Sequence, residues 1–350
     1  MGKKYPDFLK HNAKKLKLPS YFPVIFPVEN SYHVELRIRV LIPQVANCVL
    51  ISSYNLLKEP KLLFNSTIKN ILEKCFVFID SGGFLLTSVS RNKNDTTVHF
   101  NNFNASWKDI LKLQNKFAQI GNNVDVICDR NGNISKLIKI NSHFIDLYLS
   151  MPKNFLFFPT VHAHNMELLK ALCKKLSNAD YEYDGISVGG LVLLKNDYVK
   201  IIERLLYVRS LFDQVPIHVF GIGNPNILPI IYSFGISSVD SASYLKYALD
   251  LKYIHPISFQ VLNINRLNEK LPCDCKVCTT YSKSDLILMR NTGKAFIAIH
   301  NIYAYNKLAS LFRNEENDTL ENLSKINPFI AKALKIFKKV KGRSWFRIKG

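Results

Sequence analysis

Apolar runs of strand length recur along the middle of the chain, and each closes on a polar residue or a glycine. They are NCVLISS (47–53), CFVFID (75–80), VDVICD (124–129), NFLFFPTVH (154–162), GISVGG (185–190), PIHVFGIG (216–223) and SSVD (237–240). Between them lie stretches with apolar residues at helical spacing, such as 106–120, 166–176 and 197–212. In the last, Ile201, Ile202, Leu205, Leu206 and Val208 form one stripe. Buried strands alternating with amphipathic helices predict a parallel sheet covered by helices. About eight such units in roughly 250 residues predict a (β/α)8 TIM barrel, ahead of an open doubly wound sheet. The segment 90–104 reads as a long polar loop or a hairpin, and no repeat or low-complexity linker precedes residue 265.

A barrel directs attention to the C-terminal ends of its strands, where active sites form. Asp80, Asp129, His162, Gly189, Gly190, Gly221, Gly223 and Asp240 fall there. One polar residue after a buried strand is commonly a turn former. Three carboxylates among them point to chemistry.

Beyond the barrel, LPCDCKVC places Cys273, Cys275 and Cys278 together, and His300 follows 22 positions after Cys278. Three thiolates and an imidazole make a complete tetrahedral set for zinc, with no open position, so the expected zinc is structural. The competing reading is a reduced surface trio with His300 in an ordinary core. Seven cysteines, an odd number, suit a reducing compartment. No apolar run reaches membrane-spanning length and MGKKYPDFLK lacks the core of a signal peptide, so a soluble, cytoplasmic protein with no membrane partner is expected.

The net charge of +20 is concentrated at the ends. Residues 1–20 carry six lysines against one acid, and residues 331–350 carry eight basic residues and no acid, with Trp345 and Phe346 among them. Such clusters attract phosphate backbones by counterion release, which favours nucleic acid over a purely solvated face. A membrane is disfavoured because no long apolar face accompanies the lysines.

Five segments in order resemble the tRNA-guanine transglycosylase superfamily. Asp80-Ser81-Gly82-Gly83-Phe84 is similar to its DSGGF/Y motif, and Ser187 to Leu191 to its GGL segment. Phe220 to Gly223 is similar to its GxG strand end, Val239 to Tyr244 to the FDSASY stretch of the archaeal branch, and LPCDCKVC with IHN to its zinc signature. The resemblance runs from about residue 20 to 310. It implies base exchange: Asp240 as nucleophile at C1′ of a guanosine, Asp80 as general acid and base, and a 7-deazaguanine as incoming base. It also implies substrate contacts from Ser81, Gly82, Gly83, Phe84, Asp129, His162, Gly189, Gly190, Leu191 and Gly221. An anionic carboxylate suits an oxocarbenium-like C1′, and glycines let backbone approach a flat heterocycle.

The chain departs from the pattern at Leu85, at Arg130-Asn131-Gly132 and at Pro159 to His164, where His162 stands in place of a base-reading Gln. The anticipated plan is a basic extension (1–20), a catalytic barrel (21–265), a zinc subdomain with closing helix (266–325) and a basic tail (326–350). The chain ends roughly 40 residues past the zinc region, where archaeal tRNA enzymes carry further domains. That favours enzymes placing 7-cyano-7-deazaguanine in DNA, with a tRNA enzyme as the alternative and a non-catalytic nucleic-acid-binding subunit third. A homodimer or a partner subunit fits any of these.

Overall fold

The computed structural model describes residues 5–25, 32–92, 95–100, 102–127, 132–177, 182–194, 197–313 and 318–342. Eight parallel strands form a ring among the described residues. They are β1 (Ser20–Ile25), β2 (Cys48–Ser52), β3 (Phe76–Asp80), β4 (Ile120–Gly121), β5 (Leu156–Phe157 resuming as Thr160–His162), β6 (Ile186–Gly189), β7 (Ile217–Val219) and β8 (Ser238–Ser241). β8 pairs with β1, and the two halves of β5 pair with β4 and β6. Proline lacks an N–H, so β5 breaks its ladder at Pro159 and changes partner there. Phe158 N donates to Gly121 O at 2.9 Å, while Pro159 O accepts from Ser187 N at 3.0 Å. The ring is therefore closed, and the fold is the barrel rather than the open sheet.

Two strand expectations change. The described part of VDVICD is irregular, and β4 instead occupies the end of the stretch read as helix, which stops at Phe117. Val124 and Val126 are buried, which gave the run its strand-like look. Their backbone is partnered by a side chain instead: the Asn141 carboxamide accepts from Val126 N and donates to Val126 O, at 2.9 and 3.0 Å. Each group left unpaired would cost about 1–3 kcal/mol. The first strand, β1, was not in the apolar series because Pro23 interrupts it. The polar segment after β3 folds as a three-stranded antiparallel sheet, Leu86–Asn92, Asp95–Phe100 and Asn104–Ser106.

Side chains alternate across each strand. On every strand but β6, where Ile186 and Val188 join the outer core, even-numbered residues point into the barrel: Phe22, Leu50, Phe78, Ile120 and Phe158 make an apolar inner layer. Odd-numbered neighbours such as Val49, Val77, Val161, Val219 and Val239 join the outer core under the helices. An N-terminal hairpin (Phe8–His11 with Lys14–Lys17) adds Tyr5, Leu9, Leu16 and Leu18 to the inner cluster and plugs the N-terminal mouth. Burying each contributes about 1.5–3 kcal/mol, so this segment is a docked element and not a loose extension. Lys14 Nζ donates to Leu72 O and Cys75 O at 2.5 and 2.6 Å, and Lys15 lies over the Phe8 ring. Those two lysines serve the fold.

The helix Asn291–Ser310 packs on β1 and on the helices Tyr32–Leu41 and Ser243–Leu249, and completes the outer helical layer. The expected C-terminal tail is helical over Pro328–Lys341; it buries Ile330, Ala333, Leu334 and Val340 against Tyr198–Leu211 and Leu228–Ser233. Trp345 and Phe346 lie outside the described residues. No described helix is long and apolar enough to cross a membrane.

Candidate active site and metal site

The inward-facing parity carries through to the C-terminal mouth, where the side chains turn polar. Ser52, Asp80, Asn122, Thr160, His162, His218, Ser238 and Asp240 share the even positions of their strands or strand ends, and Ser187 on β6 stands in register with Thr160 and His218. The apolar inner layer lies beneath them, so the polar set is held by rigid strand ends above a dry floor.

Asp80 closes β3, and its Oδ1 accepts from Gly82 N at 3.0 Å. Gly82 makes that turn in the left-handed region, φ 77°, which favours glycine. Burial is the main reason that the Asp80 pKa rises to about 7; the neighbouring Asp125 and Asp240 charges add to it, and hydrogen bonds from Ser52 and Gly82 oppose it. Asp125 and Asp240 therefore lie close enough to Asp80 to share one site with it.

Asp125 is a carboxylate that reading the sequence overlooked. Its Oδ1 accepts from Ser81 Oγ and, at 3.3 Å, from Asn122 Nδ2, while Oδ2 lies 3.4 Å from His162 Nε2. Burial raises it to about 6 despite the Ser81 and Asn122 bonds. A Cβ on Gly83 would meet both Asp125 oxygens at 2.7 Å, so this glycine is required by close approach. VDVICD contains both Asp125 and Asp129, and of the two it is Asp125 that the described residues place against Ser81 and His162. Asp129 itself lies outside the described residues.

His162 is fully buried at the end of β5, and burial lowers its pKa to about 4, so it is neutral at pH 7. Gly189 leaves room beside it, since a Cβ there would lie 3.1 Å from its Nδ1. His164 follows with its ring centroid 6.1 Å away, and is also held neutral by burial. Phe84 is 74 % exposed, which rules out ordinary core packing and leaves its ring free to meet a ligand. Gly190 takes φ 77° after β6, and Leu191 beside it is buried in the outer core.

Asp240, inward on β8, is nearly buried. Its Oδ1 accepts from Gly221 N and His218 Nε2, both at 3.1 Å. His218 was not among the expected site residues. Its inward parity in PIHVFGIG was the available signal.

The sulfurs of Cys273, Cys275 and Cys278 and a ring nitrogen of His300 all lie within 4.8 Å of one another. His300 Nδ1 is 3.5 Å from Cys275 Sγ and 3.4 Å from Cys278 Sγ. A tetrahedral zinc with bonds of about 2.0–2.3 Å has S···N edges of roughly 3.6 Å, so the set fits such an ion. His300 Nε2 donates to Ile254 O at 2.8 Å, which presents the Nδ1 lone pair to the sulfurs. Tyr253 stacks on the imidazole at 3.7 Å between centroids. The four residues could thus hold a metal, and the alternative of unrelated thiols with His300 in an ordinary core does not fit their proximity. The supporting ribbon, Lys252–Ile254 with Val261–Asn263, begins inside the segment assigned above to the barrel.

Sequence comparisons converge with this geometry. The pattern of the family described as TGT, queuine tRNA-ribosyltransferase, matches residues 9–326. The chain is 31 % identical over 150 residues (42 % of its length, 29 % of the relative's) to a tRNA-guanine(15) transglycosylase of Saccharolobus solfataricus. It is 26 % identical to the protein of the same name from Methanococcus aeolicus over 84 % of its own length and 45 % of that relative's. For the Methanopyrus kandleri protein, also a tRNA-guanine(15) transglycosylase, the identity is 26 % over 87 % and 65 %. The chain thus spans between about a third and two thirds of these relatives' lengths. A match over residues 9–326, together with paired carboxylates at the mouth of a barrel and a Cys3His group beside it, places the chain in the queuine tRNA-ribosyltransferase family.

Proposed function

We propose that this protein is a pentosyltransferase that exchanges guanine for a 7-deazaguanine, such as 7-cyano-7-deazaguanine, in tRNA. The observation that carries the proposal is the pair Asp80 and Asp240. They sit at the ends of β3 and β8 in one polar mouth, one held up to about pH 7 and the other held by two donors. In the first displacement Asp240 attacks C1′ and the C1′–N9 bond breaks. Its electron pair leaves with guanine, which takes the Asp80 proton. In the second, Asp80 accepts a proton from the incoming base, that base attacks C1′, and the pair in the ester bond returns to Asp240. Two inversions retain configuration. Asp125, Ser81 and His162 frame the base beside Asp80, where carboxylates and a neutral imidazole suit the N–H and carbonyl edge of a guanine. Phe84 is placed to stack on its ring. Zinc in the Cys3His site, fully ligated by protein, would supply structure and no catalytic step.

tRNA takes precedence over DNA because the relatives named above are tRNA enzymes, which reverses the order expected from the sequence. The basic ends, apart from the lysines engaged in the fold, would attract either polyanion. A non-catalytic role is less well supported, since both carboxylates are present, Asp240 held by Gly221 N and His218 Nε2 and Asp80 by Gly82 N. The deciding experiment supplies radiolabelled guanine and 7-cyano-7-deazaguanine with unmodified tRNA and with duplex DNA. Label in tRNA supports the proposal, label in DNA alone transfers it to DNA, and label in neither refutes base exchange.

The pH dependence follows from Asp80. Attack requires its protonated form, so kcat/KM for tRNA should be level below pH 7 and fall about tenfold per unit above it. The stability linkage has the same sign. Asp80 and Asp125 are raised on folding, so the stability each contributes is complete near pH 4 and is lost as pH rises through about 7 and about 6. A pH series of initial rates and melting temperatures checks both.

A further inference from the structure

His218 is built into the nucleophile's setting and has no role in the scheme so far. On β8, Ser238 and Asp240 are two residues apart and face inward together, and β7 pairs alongside with His218 opposite Ser238. The imidazole spans both: Nδ1 lies 2.9 Å from Ser238 Oγ and Nε2 lies 3.1 Å from Asp240 Oδ1. An ionised carboxylate only accepts, so Nε2 carries the hydrogen and donates. The ring is caged by Phe22, Phe78 and Phe220, with centroids at 5.6, 4.7 and 4.8 Å. It is fully buried and cannot swing away. Gly221 N is the second donor to the same oxygen. Among the described residues, Oδ2 receives none.

We propose that His218 is a positioning residue that, with the Gly221 amide, ties down Oδ1, makes Oδ2 the attacking atom, and favours departure of Asp240 in the second displacement. This rests on the base-exchange reading. When the bond from Oδ2 to C1′ forms, Oδ1 becomes the carbonyl oxygen of an ester and keeps both donors. When the incoming base attacks C1′, the Oδ2–C1′ pair returns to the carboxyl group and negative charge grows on both oxygens. A fixed N–H on Oδ1 stabilises that charge without reorganisation. Removing it leaves a nucleophile that still attacks but leaves poorly.

The test compares wild type, His218→Phe and His218→Gln, using unmodified tRNA and radiolabelled guanine, with the covalent adduct followed on denaturing gels. Phe fits an aromatic cage and lacks the donor, whereas the Gln amide can reach Oδ1. His218→Phe should slow exchange about 10²–10³-fold while the fraction of protein held as adduct rises, and Gln should recover to within about tenfold of wild type. Should Phe not fold, Met replaces it, being as long as Gln without the N–H. Wild-type turnover in the donorless variant overturns the proposal, as does equal loss of adduct in it and in Gln, which a purely structural role would produce. If wild type forms no adduct with tRNA or duplex DNA, base exchange falls and this inference with it. A wild-type adduct with an indifferent donorless variant overturns this inference alone.

Discussion

Asp240→Asn is expected to abolish the covalent adduct and to lower base exchange by a factor on the order of 10⁴ or more, with the melting temperature within a few degrees of wild type. The substitution is nearly isosteric, so the barrel should tolerate it. The chemistry should not. A carboxamide is neutral, offers C1′ no anion, and cannot be displaced as a carboxylate. It also brings a donor into a pocket where Gly221 N–H and His218 Nε2–H already point at one oxygen. Its amide must therefore be oriented with oxygen toward those donors, which puts NH2 where the attacking atom belongs. Gel analysis of the adduct and initial rates of label incorporation check this. Exchange above a tenth of wild type would mean that another group attacks.

Stripping the metal is expected to have the largest effect on stability. Apparent binding free energies for structural zinc reach about 10–16 kcal/mol in small zinc domains, comparable with the roughly 5–15 kcal/mol that holds a typical protein folded. The loss would not stay local. His300 sits on Asn291–Ser310, which packs on β1, and Asn301 beside it donates to Tyr244 O in the helix following β8. Loosening that helix therefore disturbs the strand that carries Asp240. A strong chelator, or Cys275→Ser, should release one zinc per chain, lower the melting temperature by 10 °C or more by the usual scaling, and remove exchange activity. An unchanged melt after complete metal loss would show that the Cys3His group is dispensable to the fold.

What the sequence determined by itself was local chemistry with strict order: strand ends carrying Asp80, Gly189 and Gly190, Gly221 and Asp240, and the C-x-C-x-x-C group with His300. These were legible because buried strands have a fixed period and metal ligands a tight spacing, so neighbours in the chain suffice. The barrel itself was legible from the same alternation. Other features depended on partners remote in sequence. β4 is two residues long and is held by Gln114 and its neighbours as much as by its ladder: Gln114 Nε2 donates to Ile79 O and Asn122 O at 3.0 and 2.8 Å. No local pattern announces such a strand. The N-terminal lysines read as a charged extension until burial of Leu9, Leu16 and Leu18 inside the barrel mouth made them part of a plug. Asp125 became a site residue only because an irregular segment delivers it to Ser81 and His162. His218 looked like one polar residue in an apolar run until ring closure set β7 beside β8 and brought its Nε2 to Asp240. Hydrogen-bond partners and burial belong to residues far apart in the chain, and only the closed barrel brings them together.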